Sequence, residues 1–172
     1  YDNYKGGRAK TAPELSEQFP YVKELLAARG IQTYELANYE ADDIIGTLAK
    51  QAEEQGFTTT IVTGDRDLTQ LADDHTTVSI SKKGVSEIEH YTPAYVKEKM
   101  GVTPAQIIDI KGLQGDNSDN YPGVTGVGSK RAVELVSTYG SIDGIYDHLA
   151  DITAKKLKEH LIADHDQALL AK

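Results

Sequence analysis

The stretch FTTTIVT at residues 57–63 constrains the fold of this chain more than any other. Its run of β-branched residues reads as a buried strand. The segment before it, YEADDIIGTLAKQAEEQG, reads as a helix with acids at its start and Gly56 at its stop. After it come the loop GDRD and a short helix, LTQLA. Further upstream, TAPELSEQFPYVKELLAARG reads as one helix, capped by Thr11 or Ser16, with Val22, Leu25 and Leu26 at helical spacing and Gly30 at its end. IQTYEL then reads as a short strand. Strands alternating with helices predict an α/β domain with a mainly parallel sheet.

Downstream, TTVSISKKGVSEIEHY predicts a β-hairpin turning at Lys83-Gly84. TPAYVKEKMG and TPAQIIDIKGLQG each open with Thr-Pro, an N-cap followed by proline at the first helical position. A helix over 129–139, the segment SIDGIYDHLA and an amphipathic stretch over 151–172 make the second half helical.

Three short segments concentrate acid: YEADD supplies Glu40, Asp42 and Asp43, TGDRD supplies Asp65 and Asp67, and GDNSD supplies Asp116 and Asp119. The GDRD loop follows the carboxyl end of the predicted buried strand, where open α/β sheets bind ligands. Seven gathered carboxylates oppose one another's ionisation unless cations join them. Hard divalent ions such as Mg²⁺ or Mn²⁺ prefer oxygen ligands, and two of them about 4 Å apart can activate water against a phosphodiester. With no His or Cys beside these segments a zinc site is not expected, and the spacing does not match an EF-hand. Each segment also has a structural explanation: acids suit a helix N-terminus, Asp65 and Asp67 can cap the following helix, and Asp116 and Asp119 suit a turn.

GVTGVGSKRA then runs from Gly123, Gly126 and Gly128 into Ser129, Lys130 and Arg131. The glycine order is not that of a dinucleotide fingerprint. It fits a turn between two helices whose free amides and basic side chains grip a DNA phosphate. Carbonyls exposed in such a turn could hold a monovalent cation; a plain capped helical turn is the alternative. At the start of the chain, Tyr4, Lys5, Arg8 and Lys10 combine bases with an aromatic ring, which suits phosphate contact with base stacking.

Composition matters mainly for what it excludes. With no Cys, disulfides and thiolate metal sites are absent, and no run of about 18 apolar residues suggests a membrane span. The formal net charge of −9 argues for an acidic surface, yet acids and bases occupy different segments, so the sum conceals the distribution. The five histidines, at 75, 90, 148, 160 and 165, read as surface residues.

The segments YKGGR, YEADDIIGTLAK, TGDRDLTQL and KGLQGDNSDNYPGVTGVGSKRA occur in order. Together they resemble the 5′-nuclease domains of bacterial DNA polymerases I, within the flap endonuclease family, over essentially the whole chain. That resemblance implies a PIN-like α/β core followed by a helix–hairpin–helix (H3TH) subdomain, here divided as residues 1–100 and 101–172. It implies two-metal hydrolysis of a phosphodiester near the 5′ end of a nick, flap, overhang or RNA primer on DNA. In this reading Glu40, Asp42 and Asp43 are ligands of the first metal or partners just outside them, Asp65 is shared between the metals, and Asp67, Asp116 and Asp119 serve the second. Lys5 and Arg8 match basic residues near the scissile phosphate, and the glycine turn matches a DNA-gripping hairpin that can hold K⁺. A polymerase domain in the same parent chain, a cytoplasmic, nucleoid-associated setting and a monomer are implied as well.

The family opens with two strands, carrying DG and FD, that supply further metal-binding aspartates. The sequence starts YDNYKGGRAK, without Met, and contains neither. The chain is therefore expected to be a fragment of a larger enzyme. The competing expectation is a DNA-binding helix–hairpin–helix module that does not itself catalyse. A PIN-type ribonuclease is disfavoured by the hairpin, and a Mg²⁺-dependent phosphatase would not need one.

Overall fold

The computed structural model describes residues 4–7, 9–83 and 86–172. Arg8 and Gly84 lie outside them, and with them the expected phosphate contact of Arg8 and the turn of the predicted hairpin.

The predicted helix over 11–30 is two helices, α1 (Pro13–Ser16) and α2 (Phe19–Ala28). Pro20 lies in the first turn of α2. Proline has no N–H to donate and its ring crowds the carbonyl four residues back, so it starts a helix more readily than it continues one. Neither Thr11 nor Ser16 caps these helices; the capping positions are Ala12 and Gln18, and neither makes a side-chain cap bond. The apolar spacing does not mark a core face either: neither helix buries a residue, and Val22 and Leu25 are exposed. IQTYEL forms no strand, and Ile31, Tyr34 and Leu36 are exposed. A strand needs a neighbour to pair with, and among the described residues none lies alongside this segment.

The second predicted helix is present as α3 (Ala41–Glu54). It begins with a reciprocal capping box, in which Glu40 accepts from the third helical amide and Asp43 accepts from the Glu40 N–H. The predicted strand follows as β1 (Thr59–Thr63), leading through a 3₁₀ turn at Asp67–Leu71 to β2 (Thr76–Lys83) and β3 (Glu87–Tyr91). The strands form one sheet in the order β1-β2-β3. β1 pairs in parallel with β2, Thr59 opposite Thr76, and β2 pairs antiparallel with β3, Val78 opposite Tyr91. β1 was expected to be buried, but only Ile61 is; Val62 is 73% exposed because its face of the strand is uncovered among the described residues. β2, in the middle, buries Thr76, Val78, Ser79 and Ile80.

The second half is helical, as expected. α4 (Pro93–Met100) is capped by Thr92, whose hydroxyl accepts from the Tyr95 N–H at 3.3 Å. The next Thr-Pro, Thr103-Pro104, opens a 3₁₀ turn at Pro104–Gln106 that runs into α5 (Ile107–Gln114). The GDNSD segment is bracketed by a small antiparallel ladder, β4 (Gly115–Asp116) with β5 (Tyr121–Pro122). Then come α6 (Ser129–Tyr139), α7 (Ile142–Asp147), α8 (Lys155–Ala163) and α9 (His165–Leu170).

α5 lies at the centre of this half and packs against α6, α7 and α9. It buries Ile107, Ile110 and Leu113, and Leu113 has no exposed surface. Removing a side chain of that size from water contributes about 1.5–3 kcal/mol. Asp109, also buried, accepts from the Ile142 N–H at 3.2 Å and from Lys172 Nζ at 3.0 Å. The buried carboxylate thus finds a cation and holds the first turn of α7. One apolar core runs without a break from Val78 and Ile80 of the sheet, through Val96, to Val136, Ile145 and Leu161 of the helices. Among the described residues no helix is long and apolar enough to cross a membrane.

Candidate metal and nucleic-acid site

The α3 N-terminus, the loop after β1 and the β4–β5 ladder bring most of the predicted acids into one charge neighbourhood. Burial raises the Asp42 carboxyl above its ordinary value, and the negative charges of Asp65, Glu40 and Asp67 raise it further. Burial likewise raises Asp67, opposed by its contact with Lys111 and reinforced by Asp65 and Asp116. Five of the seven predicted acids, Glu40, Asp42, Asp65, Asp67 and Asp116, therefore feel one another.

The other two have different engagements. Asp43 closes the α3 capping box with a 2.9 Å bond from the Glu40 N–H. Asp119 offers its backbone carbonyl to the Lys5 N–H at 3.1 Å. Asp65 also has a local duty, since its Oδ1 accepts from the Asp67 N–H at 2.9 Å and supports the 3₁₀ turn. Neither Asp65 nor Asp67 is the expected cap of that turn, whose N-cap position is Arg66 without a side-chain bond, but the local contacts of Asp43 and Asp65 are real.

Lys111, on the last turn of α5, was not singled out in the sequence. Its Nζ lies 2.8 Å from Asp67 Oδ2 and 2.8 Å from Asp116 Oδ2, so one ammonium joins the strand-end loop to the ladder. Asp116 Oδ1 is also engaged, accepting from Ser118 N–H at 2.8 Å and Ser118 Oγ at 2.6 Å. Although desolvation raises the Asp116 carboxyl, Lys111 and Ser118 outweigh it and hold the group well below the usual carboxylate range. Burial works against the charge of Lys111, but Asp116 and Asp67 more than offset it. The sequence signal for this contact was slight: a lone lysine five residues before Asp116, in KGLQGD.

Among the described residues no three acids or histidines stand close enough to hold a metal ion in their present positions. The donor chemistry nevertheless suits a hard cation: the donors are all oxygen, their charges oppose one another, and two of them already share a positive charge.

Segment 4–7 crosses this region. Lys5 Nζ pairs with Glu40 Oε1 at 2.6 Å, and the Tyr4 hydroxyl donates to the same carboxylate oxygen. The Tyr4 ring lies against Tyr121, centroids 5.4 Å apart. Lys5 and Tyr4, read as phosphate- and base-contacting residues, thus tie the start of α3 to the ladder in this structure.

The glycine turn is held from inside and from behind. Val124 and Val127 are buried, and the Val124 N–H donates to the Leu113 carbonyl at 2.7 Å. Thr125 is gripped on both sides: its N–H donates to Asp164 Oδ2 at 2.8 Å, and its carbonyl lies 2.8 Å from His160 Nδ1. His160 therefore has a specific contact where a plain surface role was expected. Gly128 is the N-cap of α6 and provides no side-chain cap. Ser129, Lys130 and Arg131 surround that helix start, with Glu134, along an open hollow of about 550 Å³. The uncapped amides, the helix dipole and two exposed bases together favour an anion.

Two family descriptions divide the chain. Residues 1–101 match the 5′-3′ exonuclease N-terminal resolvase-like domain, and residues 102–172 match the 5′-3′ exonuclease C-terminal SAM fold. DNA polymerase I of Streptococcus pneumoniae (strain ATCC BAA-255 / R6) is 59% identical over all of this chain, and that of Bacillus subtilis (strain 168) is 56% identical over the same length. The chain spans about 20% of the length of these relatives. Among solved structures, T5 5′-exonuclease with divalent zinc ions bound superposes with a TM-score of 0.82 at 26% identity, over 98% of this chain and 65% of the other. The catalytic core of Rad2 in complex with DNA substrate shares the fold, with a TM-score of 0.57 at 19% identity over 90% of this chain and 50% of the other. In fold and in sequence, from the resolvase-like half through the SAM-like half, this chain belongs to the 5′-3′ exonuclease family.

Proposed function

We propose that this chain is the 5′-nuclease part of a DNA polymerase I, acting on the 5′ ends of nicked, flapped or overhanging duplexes and of RNA primers on DNA. The observation that carries this reading is the meeting of Asp67, past the end of β1, with Asp116, on the approach to the glycine turn, around a single positive charge at 2.8 Å from each. The acidic centre draws on both halves of the chain, and α5, which carries Lys111, packs against α6, whose start seeks an anion, so one framework would join cutting and gripping.

Divalent ions such as Mg²⁺ or Mn²⁺, when bound, would supply an activated water and neutralise charge on the phosphate. Glu40, Asp42, Asp65, Asp67 and Asp116 are the residues that would hold them, with Asp43 and Asp119 in supporting positions. In this reading Lys5 and Tyr4, both in contact with Glu40, would face the substrate strand. Release of Lys5 from Glu40 would free its ammonium for a phosphate oxygen. Ser129, Lys130 and Arg131 would bind the duplex at a second phosphate, fixing its orientation independently of base sequence. That T5 5′-exonuclease, a structural neighbour, has been solved with divalent zinc ions bound supports a divalent metal in this chain. K⁺ at the turn rests on the family resemblance alone.

The test uses 5′-labelled flap and nicked duplexes with Mg²⁺, with this chain alone and with the longer polypeptide typical of its relatives. Cleavage that disappears when Asp65 and Asp116 are both changed to Ala supports the proposal; cleavage surviving that change refutes it. A second reading, a DNA-binding module that does not itself cut, is favoured by the absence of a ready-made metal shell among the described residues. Salt-sensitive duplex binding without cleavage in either form would establish that reading instead.

A further inference from the structure

In the Asp67–Lys111–Asp116 bridge one ammonium joins two carboxylates of the acidic centre, with a consequence for cations. Both carboxylates present Oδ2 to the same ammonium, 2.8 Å away in each case. The other oxygen of Asp116 is committed to Ser118. A cation approaching Asp116 therefore finds one oxygen held by the neighbouring loop and the other by Lys111. The Lys111 side chain is itself only 25% exposed, lodged between the 3₁₀ turn and the ladder.

We propose that Lys111 is a built-in counter-ion of the acidic centre, which a divalent metal must displace from Asp67 and Asp116 in order to bind there. The ammonium holds the two loops together when no metal is bound and lowers the affinity for metal by competing for the same oxygens. It is a positioning residue: it acts on the carboxylates and not on the substrate. This inference rests on the nuclease reading only in locating the metal at these acids.

The competition has a definite sign. Replacing Lys111 with Met keeps the apolar stem and removes the charge, leaving the carboxylates one unit more negative. A unit charge a few ångströms from a divalent ion, screened by nearby water, changes its affinity by on the order of tenfold. Without metal, the same replacement leaves Asp67 and Asp116 to repel each other across the junction of the two halves.

The test is Ca²⁺ binding by isothermal titration calorimetry, which does not depend on turnover, alongside thermal unfolding without and with Ca²⁺. Lys111→Met is compared with the parent chain and with Lys111→Arg, which keeps the charge. The expected result is tighter Ca²⁺ binding in Lys111→Met by roughly tenfold, a lower metal-free melting temperature and a larger Ca²⁺-induced rise. Lys111→Arg should remain near the parent. If Lys111→Met does not fold, Lys111→Gln replaces it with the same expectation. Ca²⁺ affinity that is unchanged, weaker or undetectable in the neutral variants overturns the proposal. Tighter Ca²⁺ binding with no Mg²⁺-dependent cleavage by any form, the longer polypeptide included, would leave the counter-ion role intact and refute the nuclease reading. Cleavage by the parent without the gain in Ca²⁺ affinity would do the reverse.

Discussion

Replacing Gly115 with Ala tests how the ladder presents Asp116. Gly115 has φ 71° and ψ −177°, a region that is essentially restricted to glycine. A Cβ built there would meet the backbone of the facing strand: the Tyr121 carbonyl oxygen at 2.6 Å, and the Gly123 nitrogen closer still. Both are main-chain atoms, in β5 and just after it, so neither can rotate away as a side chain would. The backbone conformation costs about 1–3 kcal/mol, and forcing extra volume into packed surroundings typically adds about 1–3 kcal/mol more. The total is about 2–6 kcal/mol. For a chain of this size that lowers the melting temperature by roughly 4–24 °C.

The assay is urea and thermal unfolding followed by circular dichroism, with Gly64→Ala as control, because nothing lies within 4 Å of a Cβ at Gly64. The variant should also lose the contact between Asp116 and Lys111, since the ladder fixes the position of Asp116. Gly115→Ala as stable as Gly64→Ala would refute the close approach, and with it this explanation of how Asp116 is held.

Three further outcomes are expected. Lys130→Ala and Arg131→Ala should each weaken duplex binding at any base sequence and reduce the slope of log affinity against log salt by about one, read by fluorescence anisotropy across a salt series. Asp164→Ala removes the acceptor of the Thr125 N–H, so hydrogen exchange at that amide should accelerate while the amides of α5 keep their protection. Glu89, bonded first to Lys82 and then to Tyr95 and Tyr91, has its carboxyl pulled down to about 2. Its folded value is below the unfolded one, so its stabilisation is complete above about pH 4.5 and fades toward pH 2. The melting temperature difference between the parent and Glu89→Gln should follow that window, and a difference independent of pH would contradict it.

The sequence was most legible where local chemistry decides structure. Thr92-Pro93, Gly128-Ser129 and the acids around Glu40 start helices because capping and dipole effects act within one turn. The β-branched run identified β1 for a similar reason. Strand propensity misled at 31–36, where no partner strand lies alongside among the described residues, while the helical spacing over 11–30 identified helices but not a buried face, so most apolar residues of α2 and of IQTYEL lie exposed. In the candidate site, the three acid-bearing segments were readable because each is a compact run of carboxylates. Lys111, His160 and Asp164 were not, because each acts across a distance in sequence. His160 and Asp164 reach Thr125 from more than thirty residues away, through α8 and α9. A lone polar residue on a helix has no local pattern that reveals its partner.

The exposed side of β1 has a practical consequence. Among the described residues β1 pairs only with β2, so its other edge presents unpaired backbone groups beside Val62. Such an edge can accept a further strand from any chain, including another copy of this one. Handled on its own at high concentration, the polypeptide carries an adhesive seam, and Val62→Lys is the single change best placed to keep it in solution without touching the acids or the glycine turn.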